Sequence, residues 1–208
     1  MPLGLTMLRG TVLDIGAADG WVGKILDPSV HYVSIDTPET GEALYGARPD
    51  VFANGKQLPF SDACADAVVC LEVIEHVDDP VRLVSEISRV LRPGGRLFLS
   101  VPFLYPIHDA PYDFQRYTRH GIKNLVNQSG LNVIAITDKT SSIHVAGALL
   151  CLAIAGGVSA QARWLGALLL LPAVLLVLVI NILVFLLGLF WPNWDAMTFG
   201  YALTAEKP

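Results

Sequence analysis

Short, nearly continuous apolar runs alternate with segments whose apolar residues recur at helical spacing between residue 11 and about residue 142. The apolar runs indicate buried strands, because strands of a parallel sheet are covered on both faces. Strands are predicted at Thr11–Ile15, His31–Asp36, Asp66–Leu71, Arg96–Pro102 and Leu131–Ile136, and helices at Trp21–Leu26, Pro80–Leu91 and Arg119–Ser129. The alternation predicts an α/β fold with a doubly wound, mostly parallel sheet.

The pattern changes after residue 142. Trp164–Trp194 carries no charged side chain, and Ile143–Ala160 is a shorter, glycine-containing apolar stretch. The final segment, Phe199–Lys207, again has the pattern of a strand and is expected to be the antiparallel last strand of the sheet. The sequence therefore predicts one domain from residues 1–142 and 196–208, interrupted by a hydrophobic helical hairpin at residues 143–195.

The apolar insertion predicts attachment to a membrane, since a helix of about 20 apolar residues can span a bilayer. If the last strand rejoins the sheet, only an even number of crossings is allowed. The hairpin then either spans twice or lies shallowly in one leaflet, and the short first segment favours shallow insertion. A buried helical cap or a homodimer interface in a soluble protein is the alternative. We expect the α/β domain to lie at the cytoplasmic face of the membrane.

The composition and charge of the chain limit the kinds of ligand and partner that it is expected to bind. Hydrophobic residues make up 53% of the chain, charged residues only 16%, and the formal net charge is -5. A protein that binds nucleic acid through phosphates would carry a basic stripe, and none is visible, so nucleic acid is not expected as a partner. The three cysteines and five histidines show no metal-ligand spacing, so no metal site is predicted.

A turn rich in small residues follows the first predicted strand, in the order Asp14-Ile15-Gly16-Ala17-Ala18-Asp19-Gly20. Ligands of open α/β sheets bind outside the carboxyl ends of the strands, where small residues allow the backbone to approach. Asp36 ends the second strand, where a carboxylate can accept the two hydrogen bonds of a ribose diol. An ordinary tight turn and a dinucleotide fold are alternatives, although the turn lacks the G-x-G-x-x-G spacing of the latter.

Later motifs extend this pattern. The segments are Leu58-Pro59-Phe60, Glu75-His76-Val77 and Arg89-Val90-Leu91-Arg92-Pro93-Gly94-Gly95. In this order and spacing they resemble the class I S-adenosylmethionine-dependent methyltransferases, almost continuously over residues 11–136. The resemblance implies a Rossmann-like fold, S-adenosylmethionine as cofactor and methyl transfer as activity.

The resemblance also implies roles for the first half of the site. Asp14 would orient the first turn and face the methionine amino group. Gly16, Ala18 and Gly20 would line the cofactor, and Asp36 would bind the ribose hydroxyls. Ala18 stands where the family usually has glycine.

The second half of the cofactor site is implied in the same way. Asn54 occupies the position where the family usually has an acid that receives the adenine amino group. Gln57 and Leu58 would flank the adenine, and Leu71 and Glu72 would form the floor of the site. Because the first strand begins ten residues into the chain, the usual N-terminal covering helix is expected to be missing or very short.

The acceptor is expected above the carboxyl ends of the third and fourth strands. There the chain reads P-x-H-x-x-P-x-D-x-x-R-Y-T from Pro106 to Thr118, which resembles a bacterial subgroup often linked with cell-surface glycan or lipid-associated chemistry. His108 is the preferred general base, and His76 is the second candidate. Alternatively the segment is a structural corner in which Asp113 pairs with Arg116.

The segment after the third strand lacks the [NDS]-P-P-[YFW] tetrad typical of enzymes that methylate the amino groups of bases or glutamine. The sequence thus favours O-methylation of a lipophilic, lipid-linked or glycan acceptor. A catalytically silent membrane adaptor and an S-adenosylmethionine-binding regulator remain the alternatives.

Overall fold

The computed structural model describes residues 4–208, so the first three residues of the predicted domain lie outside the described part. The chain divides into two compact units. One unit contains the chain up to Thr137 together with Gly200–Pro208, and the other contains Asp138–Phe199. The sequence-based limits of the insertion, 143 and 195, lie a few residues inside the second unit.

The first unit is built on a seven-stranded sheet with the order β3-β2-β1-β4-β5-β7-β6. Its strands are β1 (Thr11–Ile15), β2 (His31–Asp36), β3 (Val51–Phe52), β4 (Ala65–Leu71), β5 (Leu91–Pro102), β6 (Asn132–Asp138) and β7 (Gly200–Glu206). The pairs among β1 to β5 are parallel, and β7 runs antiparallel to β5. This confirms the predicted mostly parallel α/β sheet with an antiparallel last strand.

The helices of this unit are α1 (Trp21–Ile25), α2 (Ala43–Tyr45), α3 (Pro80–Val90) and α4 (Arg119–Gln128). Single helical turns also occur at Leu5–Met7, Pro38–Glu42 and Ile74–His76. Two side chains cap the longer helices: Asp79 accepts a hydrogen bond from the Arg82 N–H, and Thr118 from the Gly121 N–H. Leu83, Val84, Ile87 and Val90 of α3 are buried in the core. Their helical spacing explains why the bounds of α3 could be predicted from the sequence.

Strand β5 begins at Leu91, five residues earlier than the sequence predicts, and the Arg92–Gly95 segment therefore lies within the strand. The pairing of β4 with β5 shifts register between Ala65 and Ala67 to accommodate it. The C-terminal residues hold this early part in place, because the Gly94 N–H donates to the Lys207 carbonyl at 2.8 Å.

The second unit is a helical hairpin of α5 (Ser142–Ser159) and α6 (Arg163–Gly188). Helix α5 runs through Gly156 and Gly157 without interruption, and α6 through Pro172. The two helices pack closely where a Cβ placed on Gly147 would lie 2.3 Å from Val184 Cγ2.

Both hairpin helices are long and apolar enough to cross a membrane. Their most apolar 18-residue windows have mean hydropathies of 1.8 in α5 and 3.1 in α6. None of the α6 residues is buried within the described structure. Two hydrogen bonds close the base of the hairpin, from the Ser142 N–H to Asn193 Oδ1 and from the Trp194 N–H to Ser142 Oγ.

Candidate cofactor and acceptor site

The turn after β1 is folded back onto the end of β2. The Gly16 and Ala17 N–H groups both donate to the Ile35 carbonyl, at 2.8 and 3.1 Å. Gly16 has φ +71°, and a Cβ there would lie 2.3 Å from Val73 Cγ2, so this position requires glycine. Ala18 also adopts a left-handed backbone, and its N–H donates to Asp36 Oδ2 at 2.9 Å.

Asp36 ends β2 with a buried side chain that is 8% exposed. Besides the Ala18 N–H, its carboxylate accepts the Thr37 N–H at 2.8 Å through Oδ1. Each carboxylate oxygen has two lone pairs, so both can accept a further hydrogen bond. The carboxylate is thus held by the backbone in a form that suits binding of a diol.

Asp14 lies on β1 with its side chain only 2% exposed. The Tyr32 hydroxyl donates to its Oδ2 at 2.5 Å. Burial raises the pKa of Asp14 to about 7; the Tyr32 hydrogen bond opposes this shift and the charge of Asp36 adds to it. Asp14 is therefore held by Tyr32 of β2, and its predicted contact with the methionine amino group stays a prediction.

A cavity of about 320 Å³ opens beyond the carboxyl ends of these strands. This volume lies at the lower end of the range that binds small molecules, about 300–1,000 Å³. Gly16, Asp36 and Asn54 line one part of it, and Val73, His76, Tyr112 and Phe114 line another. The cavity therefore joins predicted cofactor residues to a predicted acceptor residue.

Three of the predicted cofactor residues line this cavity: Gly16, Asp36 and Asn54. Asn54 closes a local turn, because its Oδ1 accepts the Lys56 N–H at 2.9 Å. Gln57 is exposed on the same turn and does not line the cavity.

Leu58, Leu71 and Glu72 also lie outside the cavity wall. The Leu58 side chain packs in the hydrophobic core, which explains why it does not line the cavity. Glu72 follows Leu71 with φ +55°, and its carboxylate accepts the Ser100 hydroxyl at 2.5 Å. Ala18 and Gly20 shape the first turn without lining the cavity.

The loop after β5 is organised by the predicted ion pair. Asp113, whose carboxylate is 1% exposed, accepts two hydrogen bonds from Arg116 at 2.5 and 2.7 Å. It also accepts the His108 N–H at 2.9 Å. The Arg116 guanidinium holds the pKa of Asp113 well below its usual range. The pairing of Asp113 with Arg116 is thereby confirmed.

The two candidate bases are neighbours. The ring centroids of His76 and His108 lie 4.9 Å apart in an edge-on arrangement. His76 lines the cavity, whereas His108 lies behind it, with Nδ1 3.2 Å from Asp113 Oδ2. The Tyr45 hydroxyl bonds to Asp109, whose carboxylate is 3.9 Å from His76 Nε2.

Glu75 is the site residue that sequence reasoning missed. Its side chain is fully buried, and neither carboxylate oxygen has a hydrogen-bond partner within the described part of the chain. Burial raises its pKa to about 8, and the charge of Glu72 adds to this shift, while the charge of Arg116 opposes it. His76 Nε2 lies 3.8 Å from its Oε1. The only sequence signal was its place beside His76 in the family motif.

These features define a ligand-binding α/β domain with its site at the strand carboxyl ends. The family described as "Methyltransferase domain" matches residues 13–99. An uncharacterised methyltransferase of Mycolicibacterium gilvum is 39% identical over 99 residues, which cover 43% of this chain and 38% of that protein. A ubiquinone biosynthesis O-methyltransferase of Aromatoleum aromaticum is 34% identical over 101 residues, covering 43% and 42%. Over residues 13–99 the α/β unit is thus similar to the class I S-adenosylmethionine-dependent methyltransferases.

A solved structure agrees at the level of the fold. A putative methyltransferase from Bacillus halodurans has a TM-score of 0.57 and 17% identity, covering 99% of this chain and 96% of that one. The chain spans about two fifths of the length of each of the two relatives that it matches in sequence. The cofactor of the family is S-adenosylmethionine, as the sequence predicted.

Proposed function

We propose that this protein transfers a methyl group from S-adenosylmethionine to an oxygen atom of a lipophilic acceptor at a membrane surface. The observation that carries the proposal is the single cavity that Asp36 borders on one side and His76 on the other. Methyl transfer needs donor, methyl carbon and acceptor in line, and one shared cavity allows this alignment.

The cofactor side of the cavity fits the family's cofactor. S-adenosylmethionine, when bound, supplies a methyl group on a positively charged sulfur. Asp36 would accept the ribose hydroxyls, because its carboxylate is fixed by the Ala18 and Thr37 N–H groups. Gly16 leaves the backbone open beside Val73, and the Asn54 amide stands at the predicted adenine side.

The acceptor side is mainly aromatic and apolar. Tyr112 and Phe114 line it together with His76, whose Nδ1 lies 2.8 Å from the Tyr112 carbonyl. If that nitrogen carries the ring proton, Nε2 is left to interact with an acceptor hydroxyl. His108 would contribute indirectly, by positioning the His76 ring through their edge-on contact. The relative from Aromatoleum aromaticum, named an O-methyltransferase, supports oxygen as the methylated atom.

The hairpin supports a lipophilic acceptor. Helix α6 has 26 residues, about 39 Å at the usual rise per residue, and α5 has 18, about 27 Å. Exposed leucine, valine and phenylalanine side chains along α6 would be unfavourable in water and favourable in lipid. We propose that this hairpin anchors the protein, with the methyltransferase unit on the cytoplasmic side.

Turnover distinguishes the proposal from its alternatives. The purified protein would be incubated with methyl-labelled cofactor and a lipid extract of membranes, and label in the organic phase would be counted. We expect incorporation by the wild type and loss of most of it in His76→Ala, while His120→Ala, an exposed change on α4, retains it. Cofactor binding without transfer to any extract would instead favour the silent adaptor or the regulator.

A further inference from the structure

We propose that Glu75, His76 and His108 form a binding site for a divalent transition-metal ion such as Zn²⁺. Each residue offers one ligand atom, and these atoms lie within 4.8 Å of one another. Two imidazoles and one carboxylate are a ligand set that zinc and related metals use, with one further position open. The proposal replaces the sequence-based expectation of no metal site, and metal binding itself does not depend on methyl transfer.

The buried carboxylate is the first independent support. Buried polar atoms in proteins are almost always hydrogen-bonded, because an unpaired buried group carries a large desolvation cost. Glu75 is fully buried with both oxygens lacking a hydrogen-bond partner among the described residues. A cation between Glu75 and the neighbouring imidazoles would supply the missing partner.

The orientation of the two rings is the second support. Histidine ligands of metals commonly give their other ring N–H to a carbonyl or carboxylate, which fixes the tautomer. His76 Nδ1 lies 2.8 Å from the Tyr112 carbonyl, which leaves Nε2 on the side of Glu75. His108 Nδ1 lies 3.3 Å from the Pro106 carbonyl, its hydrogen-bond acceptor, and 3.2 Å from Asp113 Oδ2. Both rings therefore have an outer acceptor of the required kind.

The spacing requires a modest closure. Metal–ligand bonds of about 2.0–2.2 Å place the ligand atoms of a tetrahedral site about 3.4 Å apart. The atoms of this cluster lie up to 4.8 Å apart, so they would approach by about 1 Å. Both imidazoles are partly exposed, with side-chain exposures of 19% for His76 and 29% for His108, and rotation of the rings can provide this movement.

A metal at this position would also bear on catalysis, and this second role rests on the proposed function. His76 is a member of both the cluster and the cavity wall. An ion bound there would occupy His76 Nε2, so His76 would hold the ion instead of acting as the base. The open position of the ion would take the acceptor oxygen, and the hydroxyl proton would pass to water. Coordination lowers the pKa of a bound hydroxyl, which makes the oxygen a better nucleophile for the methyl group.

The test is titration of the untagged, detergent-purified full chain with Co²⁺ after chelator treatment. Cobalt reports nitrogen and oxygen ligands through its visible absorption, and Zn²⁺ should displace it. We expect one ion per chain, and affinity for Co²⁺ reduced by at least about a hundredfold in Glu75→Gln and His108→Asn. Loss of a residue that only hydrogen-bonds to a ligand typically reduces metal affinity by about 10- to 100-fold, so a larger loss indicates a ligand. His120→Asn is the matched control, because His120 lies exposed outside the cluster.

Binding of S-adenosylhomocysteine to each variant establishes that it is folded, so a loss of cobalt binding cannot be assigned to unfolding. If Glu75→Gln fails this control, His108→Asn alone decides the question. Absence of visible cobalt absorption in the wild type would overturn the proposal. Equal cobalt affinity in wild type and His108→Asn would overturn it as well, and neither result would affect the proposed methyl transfer.

Discussion

The stability of the folded chain depends on pH through one buried acid, Asp14 on β1. Asp14 has its pKa raised to about 7 from an ordinary 3.8, chiefly by burial. An acid that binds its proton more tightly in the folded chain favours folding at low pH. This contribution is lost as the pH rises from about 4 to about 7 and is absent above that range.

Asp14→Asn should remove that pH dependence. The amide keeps an oxygen for the Tyr32 hydroxyl and cannot ionise, so the variant should be more stable than wild type above pH 7. A pKa shift from 3.8 to about 7 corresponds to a difference in the free energy of unfolding on the order of 4 kcal/mol. Denaturant unfolding followed by circular dichroism between pH 4 and pH 8 measures it. Asp19→Asn, an exposed change in the same turn, should keep the wild-type profile; a profile for Asp14→Asn that parallels wild type would contradict the assignment.

The residue scale also shows which site residues a sequence can predict. The position of Asp36 at the cavity was predictable, because an acid at the carboxyl end of a buried strand lies at the edge of the sheet where ligands of such folds bind. The contact between His76 and His108 was not, since the two lie on separate segments and only the fold of the loop after β5 brings them together. The burial of Glu75 depends on the helical turn Ile74–His76, which has no periodicity to recognise.

At the scale of elements, apolar patterning predicted α3, α4 and the central strands because burial against the sheet determines them. The hairpin was predicted from the length of its apolar runs instead. Strand β3 was not predicted, since two residues are too few to show a pattern. The early start of β5 was missed because Arg92–Gly95 reads as a helix stop and a turn. Its pairing with residues near Lys207 is a long-range contact that local sequence does not reveal.

The hairpin makes its own prediction at this scale. Gly147→Ala should destabilise the hairpin by about 1–3 kcal/mol, because the added methyl group overpacks against Val184. Gly156→Ala is the matched control, since open space surrounds that position in the same helix. The midpoint of unfolding in mixed SDS micelles measures both. Val184→Ala should restore the stability of Gly147→Ala, and a Gly147→Ala midpoint no lower than that of Gly156→Ala would count against the described packing.

At the scale of the whole molecule, the proposed insertion of the hairpin into a membrane and its topology there are open to a direct test. The sequence favoured shallow insertion because of the short, glycine-rich first segment. The continuous α5 and the 26-residue α6 instead support a hairpin that spans twice. In that arrangement the short connection between the helices lies on the side of the membrane opposite the methyltransferase unit.

Gln161→Cys in a Cys151→Ser background reports this arrangement. Residue 161 lies at the connection between α5 and α6, and the exposed Cys64 marks the α/β unit. With sealed vesicles and an impermeant maleimide, a spanning hairpin should expose the two cysteines to opposite sides. Labelling of both from one side would support a hairpin in one leaflet.

The proposed function depends above all on binding of the methyl donor in the cavity bordered by Gly16 and Asp36. Calorimetric binding of S-adenosylhomocysteine to the detergent-purified chain tests it most directly, beside Asp36→Ala and the exposed control Asp62→Asn. We expect micromolar binding by wild type and control, and a loss of at least about 2 kcal/mol of binding free energy in Asp36→Ala, where hydrogen bonds to a charged group are removed. Absence of binding to the wild type at millimolar ligand, or undiminished binding by Asp36→Ala, would contradict it.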